Sequence, residues 1–315
     1  MIRLDATGYL APEGYVEHVR AELAGVIDVY GRLVLAAGPP QPSRWAQNVW
    51  FDVHELRVDS IGQAARQLKA IQRNWWPYGW QLHRRSTLLA EALPHVSART
   101  LEFPEPAPDA PLGSFTWLAQ GSLLYAASCS SPFPNGEPRF REFKEHEGPP
   151  SRAYLKLFEA LTLLGAHPTR GQRCLELGAS PGGWTWVLAR LGANVLAVDR
   201  APLHPPIAAL PNVETRSESA FGLTPERVGP VDWLFSDVIC YPERLYEYVA
   251  RWLESGLCQR FVCTLKFQSN EHYAVIEDFA KLPGARVQHL FHNRHELCWM
   301  LVPRDRGRLP EASQP

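Results

Sequence analysis

The sequence lacks several features that would assign it to a class directly. Its six cysteines form no Cys-x-x-Cys pair, and three of them lie in apolar runs. This pattern favours reduced, mostly buried thiols in a cytosolic protein over a disulfide framework or a zinc site. No apolar run reaches the roughly 18 residues of a membrane span. The first residues show no apolar stretch of the secretion-signal type, so we expect no export signal.

A strong excess of charge of one sign is also missing. The 315-residue chain has a net charge of −1 at pH 7, which excludes a histone-like protein coated in positive charge. A local basic groove can still lie on a neutral protein, so nucleic acid remains a candidate partner. Hydrophobic residues make up 45% of the chain, enough for an ordinary core. The length predicts about two domains.

The most informative stretch runs from Cys174 to Asp199. It reads as a short apolar strand, a glycine-rich turn from Gly178 to Gly183, a helix, and a second strand that ends in an acid. This is half of a doubly wound nucleotide-binding unit. Glycines let the backbone approach a ligand closely, and a helix N-terminus offers free N–H groups. An acid about 20 residues after the first glycine can hydrogen-bond a ribose diol.

The glycine spacing differs from that of dinucleotide-binding enzymes. From Gly178 it runs Gly-x-x-x-Gly-Gly, with Pro181 inside the turn, which disfavours a dehydrogenase. Taken alone, the stretch has an alternative interpretation as a tight turn that binds nothing in an α/β domain.

Two further polar residues end apolar runs that read as buried strands. Asp237 ends one of them and Lys266 ends the next. Ligands of open α/β sheets bind at the carboxyl ends of the strands, so we expect both side chains on the same edge as Asp199. Each residue alone has a simpler explanation, a helix cap for Asp237 and a surface lysine for Lys266. Several polar residues at one edge are stronger support than any one of them.

The N-terminal part is predicted to be a separate α+β region. Residues 8–36 read as strand, helix, strand, strand, which is a ferredoxin-like opening. Residues 49–58 then read as a single strand, and Ser60 is placed to cap a helix that runs to about Trp75. Three cations share one face of that helix: Arg66, Lys69 and Arg73. With the tryptophans that follow, this face suits unpaired RNA. A solvated helix over a tryptophan-rich core is the alternative.

The glycine-rich turn carries a family resemblance. Its sequence Gly-Ala-Ser-Pro-Gly-Gly-Trp, at 178–184, resembles the S-adenosylmethionine loop of the FtsJ-like ribose 2′-O-methyltransferases. That family carries a Lys-Asp-Lys-Glu set at the edge of its sheet. The counterparts here, in family order, are Lys156 in Ser-Arg-Ala-Tyr-Leu-Lys-Leu, Asp237 in Phe-Ser-Asp-Val, Lys266 in Thr-Leu-Lys-Phe and Glu296 in His-Glu-Leu. The resemblance implies that these four are the catalytic residues.

The resemblance also implies a binding site for S-adenosylmethionine. The residues implied to form it are Gly178, Ser180, Pro181, Gly182, Gly183, Trp184, Asp199, Ser219 and Asp237. Trp184 either stacks near the cofactor or packs below it. The family usually has an aspartate at the position of Ser219, which reaches the adenine amino group. Here either Glu218 substitutes for it or the backbone holds the adenine.

Within the family, the chain is most similar to the RlmM type, which methylates a cytidine ribose in large-subunit ribosomal RNA. The similarity lies in Ser-Pro-Phe-Pro-Asn-Gly-Glu-Pro-Arg at 131–139, Leu-Phe-His-Asn-Arg at 290–294 and Asp-Val-x-x-x-Pro at 237–242. RlmM-type proteins carry an N-terminal ferredoxin-like and THUMP RNA-binding region. Residues 1–130 are expected to be its counterpart.

The expected fold is an α/β Rossmann-like methyltransferase domain preceded by an α+β ferredoxin-like and THUMP-like domain. The methyltransferase sheet should be mostly parallel and doubly wound, with an antiparallel pair of strands at one edge. We place the RNA-binding region at 1–130, a linker at 131–150, the methyltransferase domain at 151–303 and a flexible tail at 304–315. We expect a cytoplasmic monomer that binds RNA and no membrane.

The chemistry explains the residue types. A ribose hydroxyl is a poor nucleophile at neutral pH and needs a base beside the methyl donor. A neutral lysine amine can take the proton, and desolvation and a nearby cation, Lys156, both favour the neutral form. We therefore expect Lys266 to be the general base. Lys156, Asp237 and Glu296 would orient it and the ribose, and no metal would be required.

Other functions remain open at this stage. One is a non-catalytic RNA-binding or scaffold protein that retains the cofactor fold, and another is a 2′-O-methyltransferase of a different RNA. A third is an amino-group or small-molecule methyltransferase. Amino methyltransferases of nucleic acid usually show Asn/Asp-Pro-Pro-Tyr/Phe after the fourth strand, where this sequence has Ser-Asp-Val-Ile at 236–239.

Overall fold

The structure, a computed structural model, describes residues 1–144, 148–267 and 274–303. It divides into two compact units. The first comprises Met1–Arg141 and Gln288–His292, and the second comprises the rest of the described chain. Residues 288–292, which the sequence placed within the methyltransferase domain, thus group with the first unit. The predicted tail at 304–315 lies outside the described residues.

Within residues 1–144, the first unit has ten strands and three helices. In chain order they are β1 (Ile2–Arg3), β2 (Ala6–Leu10), α1 (Val16–Glu22), β3 (Val26–Tyr30), β4 (Leu33–Ala37), β5 (Asn48–Phe51), β6 (His54–Arg57), α2 (Ile61–Ile71), β7 (Trp75–Pro77), α3 (His83–Ala92), β8 (Gly113–Ala119), β9 (Ser122–Ala126) and β10 (Ser128–Cys129).

These strands form two five-stranded sheets, with the orders β10-β5-β2-β4-β3 and β1-β6-β9-β8-β7. The strand, helix, strand, strand order predicted for residues 8–36 is confirmed by β2, α1, β3 and β4. The single strand predicted over 49–58 is wrong, because β5 and β6 lie in different sheets. Between them Asp52 has a φ of 53°, a left-handed conformation that aspartate tolerates better than most residues.

Helix α2 begins as expected and ends early. The hydroxyl of Ser60 accepts a hydrogen bond from the amide of Gln63 at 3.2 Å, which is an N-cap. The helix stops at Ile71 rather than near Trp75, because Trp75–Pro77 pairs with β8 as a parallel strand. The Trp75 ring is buried, and its indole N–H donates to the Leu68 carbonyl at 3.0 Å. The tryptophan-rich core is therefore confirmed for this residue.

Within residues 148–267 and 274–303, six helices and seven strands follow. They are α4 (Tyr154–Leu164), β11 (Arg173–Leu177), α5 (Gly183–Arg190), β12 (Asn194–Val198), α6 (Pro205–Ala208), β13 (Val213–Arg216), α7 (Pro225–Val228), β14 (Trp233–Ser236), α8 (Pro242–Ser255), β15 (Phe261–Lys266), α9 (Ala274–Lys281), β16 (Ala285–Gln288) and β17 (Glu296–Leu301).

One seven-stranded sheet in the order β13-β12-β11-β14-β15-β17-β16 joins these strands. Strands β11 to β15 run parallel, and β17 pairs antiparallel with β15. The predicted Rossmann-like sheet with antiparallel pairing toward one edge is confirmed. The central strands are nearly continuous apolar runs because helices cover both faces of such a sheet. No helix in the described ranges is long and apolar enough to cross a bilayer.

This topology brings the end of one strand and the start of another to the carboxyl edge of the sheet, where the parallel strands end. Lys266 is the last residue of β15, and Glu296 is the first residue of β17. Because the two strands are antiparallel, these residues are direct cross-strand partners, and their side chains lie on one face of the sheet. The carboxyl ends of β11, β12 and β14 reach this edge as well.

Candidate active site

The glycine-rich turn connects β11 to α5. Gly178 and Gly182 have φ angles of 74° and 113°, in the region that favours glycine. A Cβ atom on Gly178 would lie 3.0 Å from the Cα of Val238. The turn therefore packs directly against the backbone that follows Asp237, and the two segments constrain each other.

Asp199 is held in a fixed orientation beside this turn. Its two carboxylate oxygens accept hydrogen bonds from the amides of Ser180 at 3.0 Å and Ala201 at 2.9 Å. A carboxylate has about four acceptor sites, so these contacts leave capacity for a ligand. The half-buried side chain that follows β12 thus has acceptor capacity for a ribose diol, and the predicted cofactor role of Asp199 stays a prediction.

Four ionisable side chains converge at the carboxyl edge. The Nζ of Lys156 lies 3.3 Å from both carboxylate oxygens of Asp237 and 2.8 Å from Oε1 of Glu296. The Nζ of Lys266 lies 2.9 Å from Oδ1 of Asp237 and donates to its backbone carbonyl at 2.6 Å. The structure therefore brings the predicted Lys-Asp-Lys-Glu set together in one cluster.

Each member of the cluster comes from a different element. Lys156 lies in the first turn of α4, which begins at Tyr154. Asp237 directly follows β14, and its amide donates to the carbonyl of Leu177 at 3.1 Å. That bond ties the cluster to the last residue before the glycine-rich turn.

Burial and pairing compete in this cluster. Burial lowers the pKa of the Lys156 ammonium, but the carboxylates of Asp237 and Glu296 outweigh it and leave that pKa raised. Burial would raise the pKa of Asp237, but the charges of Lys156 and Lys266 and a hydrogen bond from Thr264 leave it lowered. Lys156 and Asp237 are therefore both charged at neutral pH.

Two residues that the sequence analysis did not name contribute to the site. Thr264 donates its hydroxyl to Oδ1 of Asp237 at 2.7 Å. It lies two residues before Lys266, so the period of a strand could have placed it on the same face. Glu176 is fully buried in β11 and accepts a hydrogen bond from the Thr185 hydroxyl at 2.7 Å. In the sequence, Glu176 could have been found as an acid inside an apolar run.

Burial raises the pKa of Glu176 to about 8, and the charges of Asp237 and Asp199 act in the same direction. The Thr185 hydroxyl opposes this shift only in part. Glu176 is therefore mostly protonated at neutral pH. The site holds a neutral carboxyl group directly under its charged edge.

The other predicted cofactor residues take several positions. Trp184 is buried, and its indole N–H donates to the carbonyl of Ala153 at 2.9 Å, which fits packing below the turn. The Ser180 hydroxyl donates to the Pro202 carbonyl, and the Pro181 carbonyl accepts from the His204 amide, both at 2.9 Å. These contacts shape the turn.

The adenine side of the predicted site is more open. Ser219 is exposed and precedes a short 3-10 helix at Ala220–Gly222. The carboxylate of Glu218 lies 3.5 Å from the guanidinium of Arg227. Neither residue is brought into the cluster around Asp237, so their role toward adenine stays a prediction.

Comparison with known proteins identifies this region. The model of the FtsJ-like methyltransferase family matches residues 149–277. The match contains the glycine-rich turn and three members of the charged cluster, Lys156, Asp237 and Lys266, and Glu296 follows it along the chain.

The FtsJ-like region has curated relatives. Ribosomal RNA large subunit methyltransferase M of Azoarcus sp. is 33% identical over 61% of this chain and 55% of its own length. The protein of that name from Xylella fastidiosa (strain M12) is 36% identical over 53% and 50%. The chain spans about half the length of the curated relatives it matches.

A solved structure of an rRNA methylase from Streptococcus thermophilus aligns over 42% of this chain and 87% of its own. It has 16% identity and a TM-score of 0.33. The similarity to the FtsJ-like methyltransferases rests on the family model and the curated relatives.

The packing of Gly178 against Val238 predicts a specific loss in Gly178→Ala. Gly171 is the matched control, because its φ is 82° but a Cβ there meets nothing within 4 Å. A positive φ costs a non-glycine residue about 1 kcal/mol in both variants. In thermal melts Gly178→Ala should lose clearly more stability than Gly171→Ala. Equal losses would contradict the packing described for the turn.

Removing the ammonium of Lys156 should leave the carboxylates of Asp237 and Glu296 without the cation that they share. Lys156 is only 14% exposed, so Lys156→Met should cost about 3 kcal/mol of unfolding free energy. The exposed lysine of the pair Lys281–Asp278 is the control, and Lys281→Met should cost less than about 1 kcal/mol.

A double-mutant cycle separates this pairing from packing. Lys156→Met with Glu296→Gln should cost less than the sum of the single variants, because the second change removes a charge that the first left unpaired. Denaturant unfolding at pH 7 measures the unfolding free energy of the parent protein, the two single variants and the double variant. Strictly additive costs would show that the two side chains are not energetically coupled.

Glu176 predicts a pH dependence of stability. Its pKa is raised in the folded state from 4.5 to about 8, so the folded protein retains a proton that the unfolded chain releases. The stability due to this group is fully present below about pH 4.5 and is lost as the pH rises to about 8. Glu176→Gln keeps the neutral shape and should remove that decline.

The measurement is the unfolding free energy of Glu176→Gln minus that of the parent protein at several pH values between 5 and 9. We expect the difference to grow in favour of the variant up to about pH 8 and then level off. Exposed Glu247 provides the control variant Glu247→Gln. A flat difference for Glu176→Gln would contradict a buried neutral acid.

Proposed function

We propose that this protein is an S-adenosylmethionine-dependent ribose 2′-O-methyltransferase of RNA. The observation that carries the proposal is the cluster of Lys156, Asp237, Lys266 and Glu296 at the carboxyl edge of the sheet, joined to the glycine-rich turn. A methyl donor and a proton acceptor must meet at one hydroxyl in this reaction. Ligands of open α/β sheets bind at this edge.

The residues around the turn are suited to the methyl donor. The Asp199 carboxylate is oriented by the Ser180 and Ala201 amides and would accept the ribose hydroxyls of the cofactor. The turn of Gly178 and Gly182 lets a ligand approach its backbone closely. S-adenosylmethionine, when bound, supplies a methyl group on a sulfonium, which makes that carbon strongly electrophilic.

We assign the proton transfer to Lys266. A neutral amine has two N–H groups and one lone pair. The two N–H groups match the two contacts of its Nζ with Asp237, at 2.9 Å to Oδ1 and 2.6 Å to the carbonyl. The lone pair is then left for the proton of the ribose 2′-hydroxyl. Taking that proton creates an ammonium next to a carboxylate that is already in position.

The other three residues hold Lys266 and the ribose in place. Lys156 remains protonated because its pKa is raised, so it is the permanent cation of the pair. Asp237 contacts both amines, and Glu296 binds Lys156 from the neighbouring strand. Alignment of the hydroxyl with the methyl group would then supply much of the rate acceleration.

Ribosomal RNA of the large subunit is the substrate that the named relatives favour, and the RlmM-type resemblance points to a cytidine. The first unit is proposed to be its ferredoxin-like and THUMP-like RNA-binding region. The order β5-β2-β4-β3 with antiparallel pairing supports the ferredoxin-like part. An rRNA substrate implies a cytoplasmic protein. The monomeric state stays a prediction.

The role of Lys266 has a direct test. Lys266→Ala should reduce transfer of tritiated methyl groups to RNA by at least about a thousandfold, within the range expected for a general base. Calorimetric binding of S-adenosylmethionine should change little. Lys266→Arg should be equally inactive, because a guanidinium keeps the charge but cannot accept a proton at neutral pH.

Lys281→Ala is the control, because this exposed lysine lies outside the cluster. The substrates are naked ribosomal RNA and large-subunit particles, and the label is mapped to the sugar or the base. Undiminished turnover in Lys266→Ala would remove Lys266 as the base. Label on a base alone, or on no RNA at all, would remove the proposed reaction and leave the non-catalytic alternative.

A further inference from the structure

Two cavities border one segment of the first unit. The first has a volume of about 360 Å³ and the second of about 510 Å³. The residues that line both are His95, Val96, Ser97, Ala98, Arg99 and Arg139. Segment His95–Arg99 therefore forms a wall shared by the two cavities. Their volumes are in the range of sites for small organic groups.

Among the described residues, cations outnumber carboxylates at the lining of the first cavity, and of these cations only Arg99 is ion-paired, with Glu105 at 3.3 Å. Arg73, Arg99 and Arg139 line it, against the single carboxylate of Glu137. Glu137 is already paired with Arg32 at 3.1 Å. In the described part of the chain, the guanidinium groups of Arg73 and Arg139 have no ion pair. Two free cations at one cavity favour an anionic ligand.

The remaining lining of the first cavity is apolar. Leu101, Leu112 and Phe133 are 1%, 8% and 4% exposed, and several prolines complete the walls. A phosphate alone would not need such walls, whereas a planar base would pack against them. The Asn74 amide is oriented by a hydrogen bond from its Nδ2 to the Pro111 carbonyl at 3.1 Å, and its oxygen can accept from a base.

We propose that these cavities bind an unpaired nucleotide of the RNA substrate. The base occupies the 360 Å³ cavity, and its flanking phosphates bind Arg73 and Arg139. Guanidinium groups combined with apolar and aromatic surfaces are the usual means of binding single-stranded RNA. This proposal rests on the proposed function, because it takes RNA as the substrate.

The surface next to the cavities supports a path for the single-stranded RNA. Arg66 and Lys69 lie exposed on one face of α2, and Arg73 is exposed two residues after that helix ends. These cations would lie beside the adjoining phosphates. The second cavity is lined by the half-buried Trp76, a ring on which the next base can stack. It also contains the carboxylate of Glu91, so the phosphates are assigned to the first cavity.

The test uses the full chain and fluorescent ten-nucleotide RNA, with binding followed by anisotropy. The double variant Arg73→Ala/Arg139→Ala should bind single-stranded RNA at least about tenfold more weakly. Its plot of log affinity against log salt should be shallower by about 1.4, the value for two phosphate contacts on a single strand. Arg20→Ala/Arg57→Ala removes the same charge from exposed pairs that line neither cavity, and should change affinity less than about twofold.

A second variant tests the cavity without changing charge. Ala98→Trp places an indole at the wall between the two cavities and should weaken binding of the single strand more than that of a duplex. Equal affinity of the two arginine double variants would overturn the proposal. So would a duplex, or an acidic peptide of equal charge, that competes as well as the single strand.

These outcomes are separate from a failure of the proposed reaction. Parent protein that methylates RNA, together with unchanged binding in Arg73→Ala/Arg139→Ala, would overturn only the nucleotide site. If no RNA is methylated, the anisotropy difference between the two double variants still decides the nucleotide site by itself. Calorimetric binding of S-adenosylmethionine should be equal in all variants and shows that the second unit is intact.

Discussion

A carboxylate shared by two lysine side chains is the interaction on which the carboxyl edge of the second unit's sheet depends. The side chain of Asp237 is only 19% exposed, and burying an isolated carboxylate costs several kcal/mol. Asp237 is charged there because Lys156 and Lys266 approach it from two sides and Thr264 donates a hydrogen bond. The same contacts fix both lysines, since a long flexible side chain at a sheet edge would otherwise sample many rotamers.

Neighbouring groups adjust to that charge. Glu176 lies below the edge and is mostly neutral, partly because Asp237 and Asp199 are charged. A third buried anion there would face two others in a poorly screened environment. The acids of this region thus differ in their ionisation. Asp237 carries its charge at the carboxyl edge, and Glu176 keeps its proton and hydrogen-bonds with Thr185.

In the first unit, the basic residues and the walls of the two cavities come mostly from different parts of the chain. The cations Arg66 and Lys69 belong to α2, where spacing alone puts them on a common face, and Arg73 lies beyond the end of that helix, after the extended residue Gln72. The first cavity, which Arg73 lines, is built mostly by chain outside the helices and strands, above all His95–Arg99, and the second cavity adds residues of β7 and α3. Helical periodicity could predict the basic face, whereas nothing in the local sequence predicts the two cavities next to it.

The sequence by itself determined the elements and the identity of the charged residues. Apolar runs ending in Asp237 and Lys266, and glycines where φ must be positive, are local signals, because strand burial and backbone conformation act over a few residues. Where local signals misled, pairing with distant strands was the reason. Trp75 joined β7 instead of α2, and one predicted strand became β5 and β6 in different sheets.

Only the tertiary structure decided which charges meet. Lys156 and Asp237 are 81 residues apart, and Lys156 and Glu296 are 140 residues apart. Their 2.8 to 3.3 Å contacts exist because β17 turns antiparallel to β15 and brings Glu296 to the edge where the parallel strands end. Ionisation was likewise decided in three dimensions, since the pKa of Glu176 depends on burial and on charges from other strands. Sequence spacing predicts neither the contacts of the cluster nor the pKa of Glu176, because both depend on distances through space.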